Sequence, residues 1–143
     1  MTQRTYTDRT LIDIVETGFE GWNERDLDKI GSRVSDDYVF ESDAIPGPLR
    51  GREALLDFAR AYLAAFPDLE LTIDDVFASE DRVVASWEAT GTHLGALNGV
   101  APTGRRVRVR GCTITHFHDG RVVRQHAFWD AATLMAQIQG SRE

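Results

Sequence analysis

The stretch RVRVRGCTITHFHDGRVVRQHAFWD, Arg106 to Asp130, decides how the chain is read. Val, Ile and Thr recur on both sides of an Asp119-Gly120 pair, the pattern of two antiparallel strands joined by a tight turn. Side chains alternate between the faces of a strand. Along the first strand Cys112, Ile114 and His116 therefore share one face with Arg108 and Arg110, and Thr113, Thr115 and Phe117 share the other. Along the second strand His126, Phe128 and Asp130 lie together, opposite Gln125, Ala127 and Trp129.

Reading outward from this hairpin, Leu69 to Ala78 and Arg82 to Thr92 are two further strands around a Glu80-Asp81 turn. The first half of the chain changes period. Leu11, Ile12, Val15, Phe19 and Trp22 recur at helical spacing from Asp8 to Asn23, behind Thr7 or Asp8 as N-cap. Asp26 caps a shorter helix, Leu27 to Val34, and the aromatic run Tyr38 to Ser42 reads as a strand. Two prolines and two glycines make Asp43 to Gly51 a loop, and a third helix runs from Arg52 to Phe66, stopped by Pro67. Ala131 to Gln139 forms a closing helix.

Helices first and antiparallel strands afterwards predict an α+β domain in which the N-terminal helices cover the concave face of a curved, mostly antiparallel sheet around a pocket. At 143 residues the chain reads as one domain over 1-143, with 1-6 and 140-143 as flexible tails. A net charge of -7 argues against a nucleic-acid partner. There is no run long enough for a membrane helix, and no apolar segment follows the N-terminal charges, so the expected location is cytoplasmic. The single cysteine, Cys112, excludes an internal disulfide and a cysteine-cluster metal site. No His-x-x-x-His lies on a helix and the His116-x-His118 pair sits on one strand face beside a turn, so a metal is not expected; no phosphate-cradling loop, dinucleotide fingerprint or nucleophile elbow occurs, so no covalent nucleophile is visible.

Candidate chemistry concentrates on the hairpin. A carboxylate at a strand end beside Phe128 and Trp129 suits proton transfer if burial raises its pKa, and Asp130 is equally well placed to cap the helix that follows. His116 reads either as a proton carrier or as a histidine satisfied by a backbone carbonyl. His126 shares the face of Asp130, and His93 sits beside a glycine-rich loop. Phe40, Phe58, Tyr62, Trp87 and Phe128 are aromatic candidates for stacking on a ligand, and Ile114 is an apolar neighbour of His116 on the same face.

The motifs Phe66-Pro67-Asp68-Leu69, Gly91-Thr92-His93 with Gly95, Gly99-x-x-Pro102-Thr103-Gly104-Arg105, Asp119-Gly120 and Trp129-Asp130 together resemble the SnoaL-like polyketide cyclases, within the nuclear transport factor 2-like superfamily. The resemblance runs from about Trp22 to Ile138 and implies that superfamily's cone-shaped α+β barrel. It implies a cofactor-independent enzyme that closes a ring in a polyketide-derived ester or ketone by an intramolecular aldol reaction, with Asp130 as acid/base and His116 as its partner. It also implies a hydrophobic, polycyclic or polyketide-like substrate and a homodimer or homotetramer with sheets packed through their outer faces. Hydroxylases, isomerases and epoxide hydrolases share the scaffold, as do non-catalytic binding modules.

Overall fold

In the computed structural model, which describes residues 6 to 140, the strands join in one six-stranded sheet of order β2-β1-β6-β5-β4-β3. The elements run α1 (Asp8–Glu24), α2 (Leu27–Gly31), β1 (Val34–Glu41), β2 (Leu49–Arg50), α3 (Arg52–Ala65), β3 (Glu70–Ser79), β4 (Arg82–Thr92), β5 (Arg106–His118), β6 (Arg121–Trp129) and α4 (Ala131–Gln139). All neighbours pair antiparallel except β1 and β6, which run parallel. The α+β architecture with a mostly antiparallel sheet is the expected one. Residues 1 to 5 and 141 to 143 lie outside the described residues; within the expected tails, Tyr6 packs on the core and Gly140 caps α4.

The two hairpin turns follow from their residues. Glu80 and Asp81 both take positive φ (51° and 64°), as do Asp119 and Gly120 (54° and 77°), the twist that matches flanking strands in a two-residue turn. Helix α1 begins where the Thr7 hydroxyl accepts from the Thr10 amide, and it buries Leu11 and Val15 against the sheet. Asp26 caps α2 by accepting from the Lys29 amide.

Two segments differ from the sequence expectation. Helix α2 stops at Gly31, and β1 starts at Val34 instead of Tyr38, while the expected loop Asp43 to Gly51 contributes the short strand β2. The cause is a tertiary anchor. Arg52, on α3, donates from Nε to the Gly31 carbonyl at 3.1 Å and from Nη2 to the Val34 carbonyl at 2.8 Å, so the carbonyls of this junction are satisfied by a side chain instead of another helical turn.

The edge strand β3 is also met by a side chain. Asn23 of α1 donates to the Leu71 carbonyl at 2.9 Å and accepts from the Leu71 amide at 2.7 Å, occupying ladder positions a foreign strand could otherwise take. The helices thus lie on one face of the sheet, and Tyr38, Val83, Ala85, Ala127 and Phe117 point into the core between them.

Candidate functional site

Between the helices and the sheet lies a cavity of about 180 Å³, room for at least an aromatic ring. Its walls are mainly apolar, and all three tryptophans of the chain, Trp22, Trp87 and Trp129, line it. Phe58 of α3 is the hub of the aromatic wall, with its ring centroid 4.8 Å from Tyr62, 5.4 Å from Phe40, 6.2 Å from Trp22 and 6.3 Å from Trp129. Among the lining residues the exposed ones are Ser32 and Arg33, at the α2–β1 junction, so the cavity opens there.

Two polar groups cross this apolar interior. Buried Tyr38 donates its hydroxyl to Gln125 Oε1 at 2.6 Å, and Gln125 Nε2 donates to Thr115 Oγ1 at 3.1 Å. Burial pushes the Tyr38 phenol pKa well above its ordinary value, so it stays a donor. Closer to the α4 end, Trp87 Nε1 donates to Thr113 Oγ1 at 2.9 Å. These bonds leave one N–H of the Gln125 amide and the hydroxyl hydrogen of Thr113 uncommitted among the described residues, and both side chains line the cavity. Thr113 and Thr115 are two residues apart on β5 and pair across to Ala127 and Gln125 on β6, so the donors stand roughly 7 Å apart along the strands.

Trp87 lies flat because Gly111 has no side chain. A Cβ on Gly111 would sit 2.3 Å from Trp87 Cζ2 and 2.7 Å from the Phe128 carbonyl oxygen. Gly111→Ala is therefore expected to tilt the indole into the cavity and break its bond to Thr113. The overpacking costs about 1–3 kcal/mol by urea titration, and the blue-shifted emission and weakened ligand quenching of Trp87 report the lost volume.

The residues expected to form the site divide into two groups. Phe40, Phe58, Tyr62 and Trp87 line the cavity. His116, Ile114, His126 and Phe128 lie on the opposite, outer face of the sheet, where Ile114 pairs with His126 and the His126 and Phe128 rings stack with centroids 4.4 Å apart. The inward set on β5 is Val107, Val109, Thr113, Thr115 and Phe117. His93 is fully buried at the base of the loop after β4, outside the cavity lining, and its Nδ1 accepts from the Thr103 amide at 3.2 Å.

The structure does not bring His116 and Asp130 together. His116 pairs with Arg124, and Gly111, five positions back along β5, pairs with Trp129, the residue before Asp130. Asp130 is exposed, borders a shallow outer recess with Glu88, Arg108 and Arg110, and caps α4: its Oδ1 accepts from the Thr133 amide at 3.0 Å and its Oδ2 from the Thr133 hydroxyl at 2.7 Å. Those bonds from Thr133 hold its pKa below the usual carboxylate value, the opposite of a carboxyl raised for proton transfer at neutral pH. Among the described residues, no carboxylate or histidine lines the cavity.

For His116, partial burial and then the facing Arg82 and Arg124 and nearby His126 push the pKa below the ordinary histidine value of 6.5, against an opposing pull from Glu41. A depressed histidine pKa means the unfolded chain takes up the proton first. This contribution to stability is therefore complete above about pH 6.5 and is lost as the pH falls below it. His116→Gln is expected to flatten the pH dependence of the urea midpoint in that window.

The model of the SnoaL-like polyketide cyclases matches residues 12–138. The chain belongs to this family. No curated protein sequence matches it significantly. Among solved structures, AclR of Streptomyces galilaeus, provisionally described as a hydroxylase, is 28% identical, with a TM-score of 0.84 over 95% of this chain and 100% of that one. IdmH of Streptomyces antibioticus, provisionally described as a polyketide cyclase, is also 28% identical, with a TM-score of 0.78 over 90% of this chain and 98% of that one. An LEH-like epoxide hydrolase of M. tuberculosis shares the fold at 17% identity, a TM-score of 0.72 and coverage of 93% of this chain and 92% of that one. The SnoaL-like fold thus hosts several differently named activities, and the cavity's own groups must discriminate among them.

Proposed function

We propose that this SnoaL-like protein is an enzyme that closes a ring in an apolar, polyketide-derived ketone or ester without a cofactor. The observation that carries this reading is the pair of uncommitted donors, the Gln125 amide and the Thr113 hydroxyl, in an otherwise apolar, aromatic-walled cavity. Donors fixed in advance in a dry site are worth most where negative charge develops, on an enolate or on the alkoxide formed by aldol closure.

The reaction balances as an isomerisation. A carbon between two carbonyls gives up its proton, the enolate carbon bonds to a second carbonyl of the same molecule, and the new alkoxide takes up a proton. Water at the Ser32–Arg33 mouth carries that proton, since no carboxylate or imidazole lines the cavity among the described residues. Gln125 and Thr113 stabilise the oxyanions, and the walls hold the two reacting ends together, which supplies on the order of several kcal/mol by positioning. In this assignment Asp130 and His116 act on the scaffold, the first by capping α4.

The test is mass spectrometry of products from a panel of aromatic poly-β-ketone esters. A product isomeric with its substrate supports the reading. A product heavier by one oxygen atom and dependent on dioxygen, or heavier by one water, replaces it with the hydroxylase or hydrolase reading.

We further propose that the outer face, with Phe77 55% and Phe128 45% exposed around Val84 and Ile114, packs on a second copy, as the family resemblance implies. Light scattering reads the stoichiometry.

A further inference from the structure

The charged residues among the cavity lining are Lys29 and Arg33, both cations, and both flank the mouth. This is a local reversal, because the chain as a whole carries a net charge of -7. Arg33 is exposed, and its guanidinium forms no ion pair among the described residues; its Nη2 donates to the Gly120 carbonyl at 3.0 Å, which fixes one arm and leaves the other donors of the fork available. Lys29 Nζ lies 3.0 Å from Glu24 and 3.7 Å from Glu20. Those glutamates are 54% and 61% exposed while Lys29 is 31% exposed, and such open pairs contribute little, so a better-placed anion displaces them at small cost. The Ser32 hydroxyl, between the two cations in sequence, already donates to the Lys29 carbonyl at 3.2 Å, so the cations are the groups left to meet an anion.

The junction that presents these groups is held in place. The Arg52 bonds to the Gly31 and Val34 carbonyls bracket Ser32 and Arg33, and the Val122 amide donates to the Arg33 carbonyl at 2.8 Å. A planar guanidinium offered on a fixed backbone suits a carboxylate, which it can bind through two parallel N–H bonds.

We propose that the cavity's ligand is an amphipathic acid, whose apolar ring system fills the aromatic interior and whose carboxylate is held at the mouth by Arg33 and Lys29. This rests on the reading of the cavity as a small-molecule site and adds to the mainly apolar ketone or ester a free carboxylate elsewhere in the molecule, and with it the direction in which it enters. The ligand goes in ring-first. Its carbonyl groups then pass Gln125, which pairs with Thr115 nearer the mouth, before reaching Thr113.

The experiment compares anthraquinone-2-carboxylate with its methyl ester, two probes with the same rings and different charge, by quenching of the cavity tryptophans. The wild-type protein is expected to bind the acid roughly tenfold more tightly than the ester at low ionic strength, as expected for one charge-assisted contact, with the preference shrinking as salt is added. Arg33→Gln is expected to bring the ratio of affinities close to one, Lys29→Gln to reduce it in part, and Arg33→Lys to keep most of the charge preference. Equal affinity of the wild-type protein for acid and ester overturns the anionic subsite while leaving the cavity reading intact, as does an unaltered ratio in Arg33→Gln. If neither probe quenches, the cavity reading falls and the subsite with it.

Discussion

Phe58→Ala is expected to lower the unfolding free energy by about 3 kcal/mol, toward the lower end of what removing a core phenylalanine costs, because one side of the ring already faces the cavity. The ring touches four other aromatic residues drawn from α1, β1, α3 and the end of β6, so its loss loosens the helix layer from the sheet at the point where the two meet. Domains of this size have about 5–15 kcal/mol in hand, so the variant still folds, and a urea midpoint measured by circular dichroism reads the loss. A loss below about 1 kcal/mol would mean that the four neighbours close over the gap without it.

Gln125→Leu is expected to reduce kcat for ring closure about 100-fold, with KM changed far less, because the donor it removes acts on charge that appears in the transition state. The substitution keeps the side chain's bulk while leaving the Tyr38 hydroxyl and Thr115 Oγ1 without their partner, so a stability loss of about 1–3 kcal/mol accompanies it. Tyr38→Phe separates the two effects. It leaves the Gln125 amide in the cavity, so it is expected to share the stability loss and keep most of kcat. Equal kcat in wild type and Gln125→Leu would remove the amide from the mechanism.

Much of the fold is legible from period and punctuation. β4, β5 and α4 begin and end at the residues the pattern marks, because paired positive-φ turns and an aspartate cap leave little freedom at their ends. The α2–β1 junction was not legible. Its geometry depends on Arg52, which is distant in sequence from the carbonyls it satisfies.

The pairing of faces on the hairpin was legible, but which face points inward was read from the wrong residues. His116 and Asp130 drew attention as chemistry-bearing side chains. The more informative signal was Arg106, Arg108 and Arg110, which share parity with Cys112, Ile114 and His116 and mark that side as the solvated one. Read that way, the cavity face carries Thr113, Thr115 and Gln125, uncharged groups that local pattern does not single out. Trp87 and Gly111 were likewise separate residues in the sequence, and only the register of β4 on β5 stacks one on the other.

The parallel pairing of β1 with β6 bears on how the molecule assembles. Val39 lies beside Arg124, 85 positions later in the chain (124 − 39), so this contact closes a far longer loop than either hairpin. Loop closure of that length is entropically costly, and pairings distant in sequence slow folding. A nascent chain halted before Arg121 has only the two-residue β2 to offer β1, and Tyr38 has no Gln125 to meet. The β3–β4 hairpin and helices α1 to α3 can form during synthesis, but the binding chamber itself takes shape only once β6 has emerged, which makes its completion a late, chain-length-dependent step.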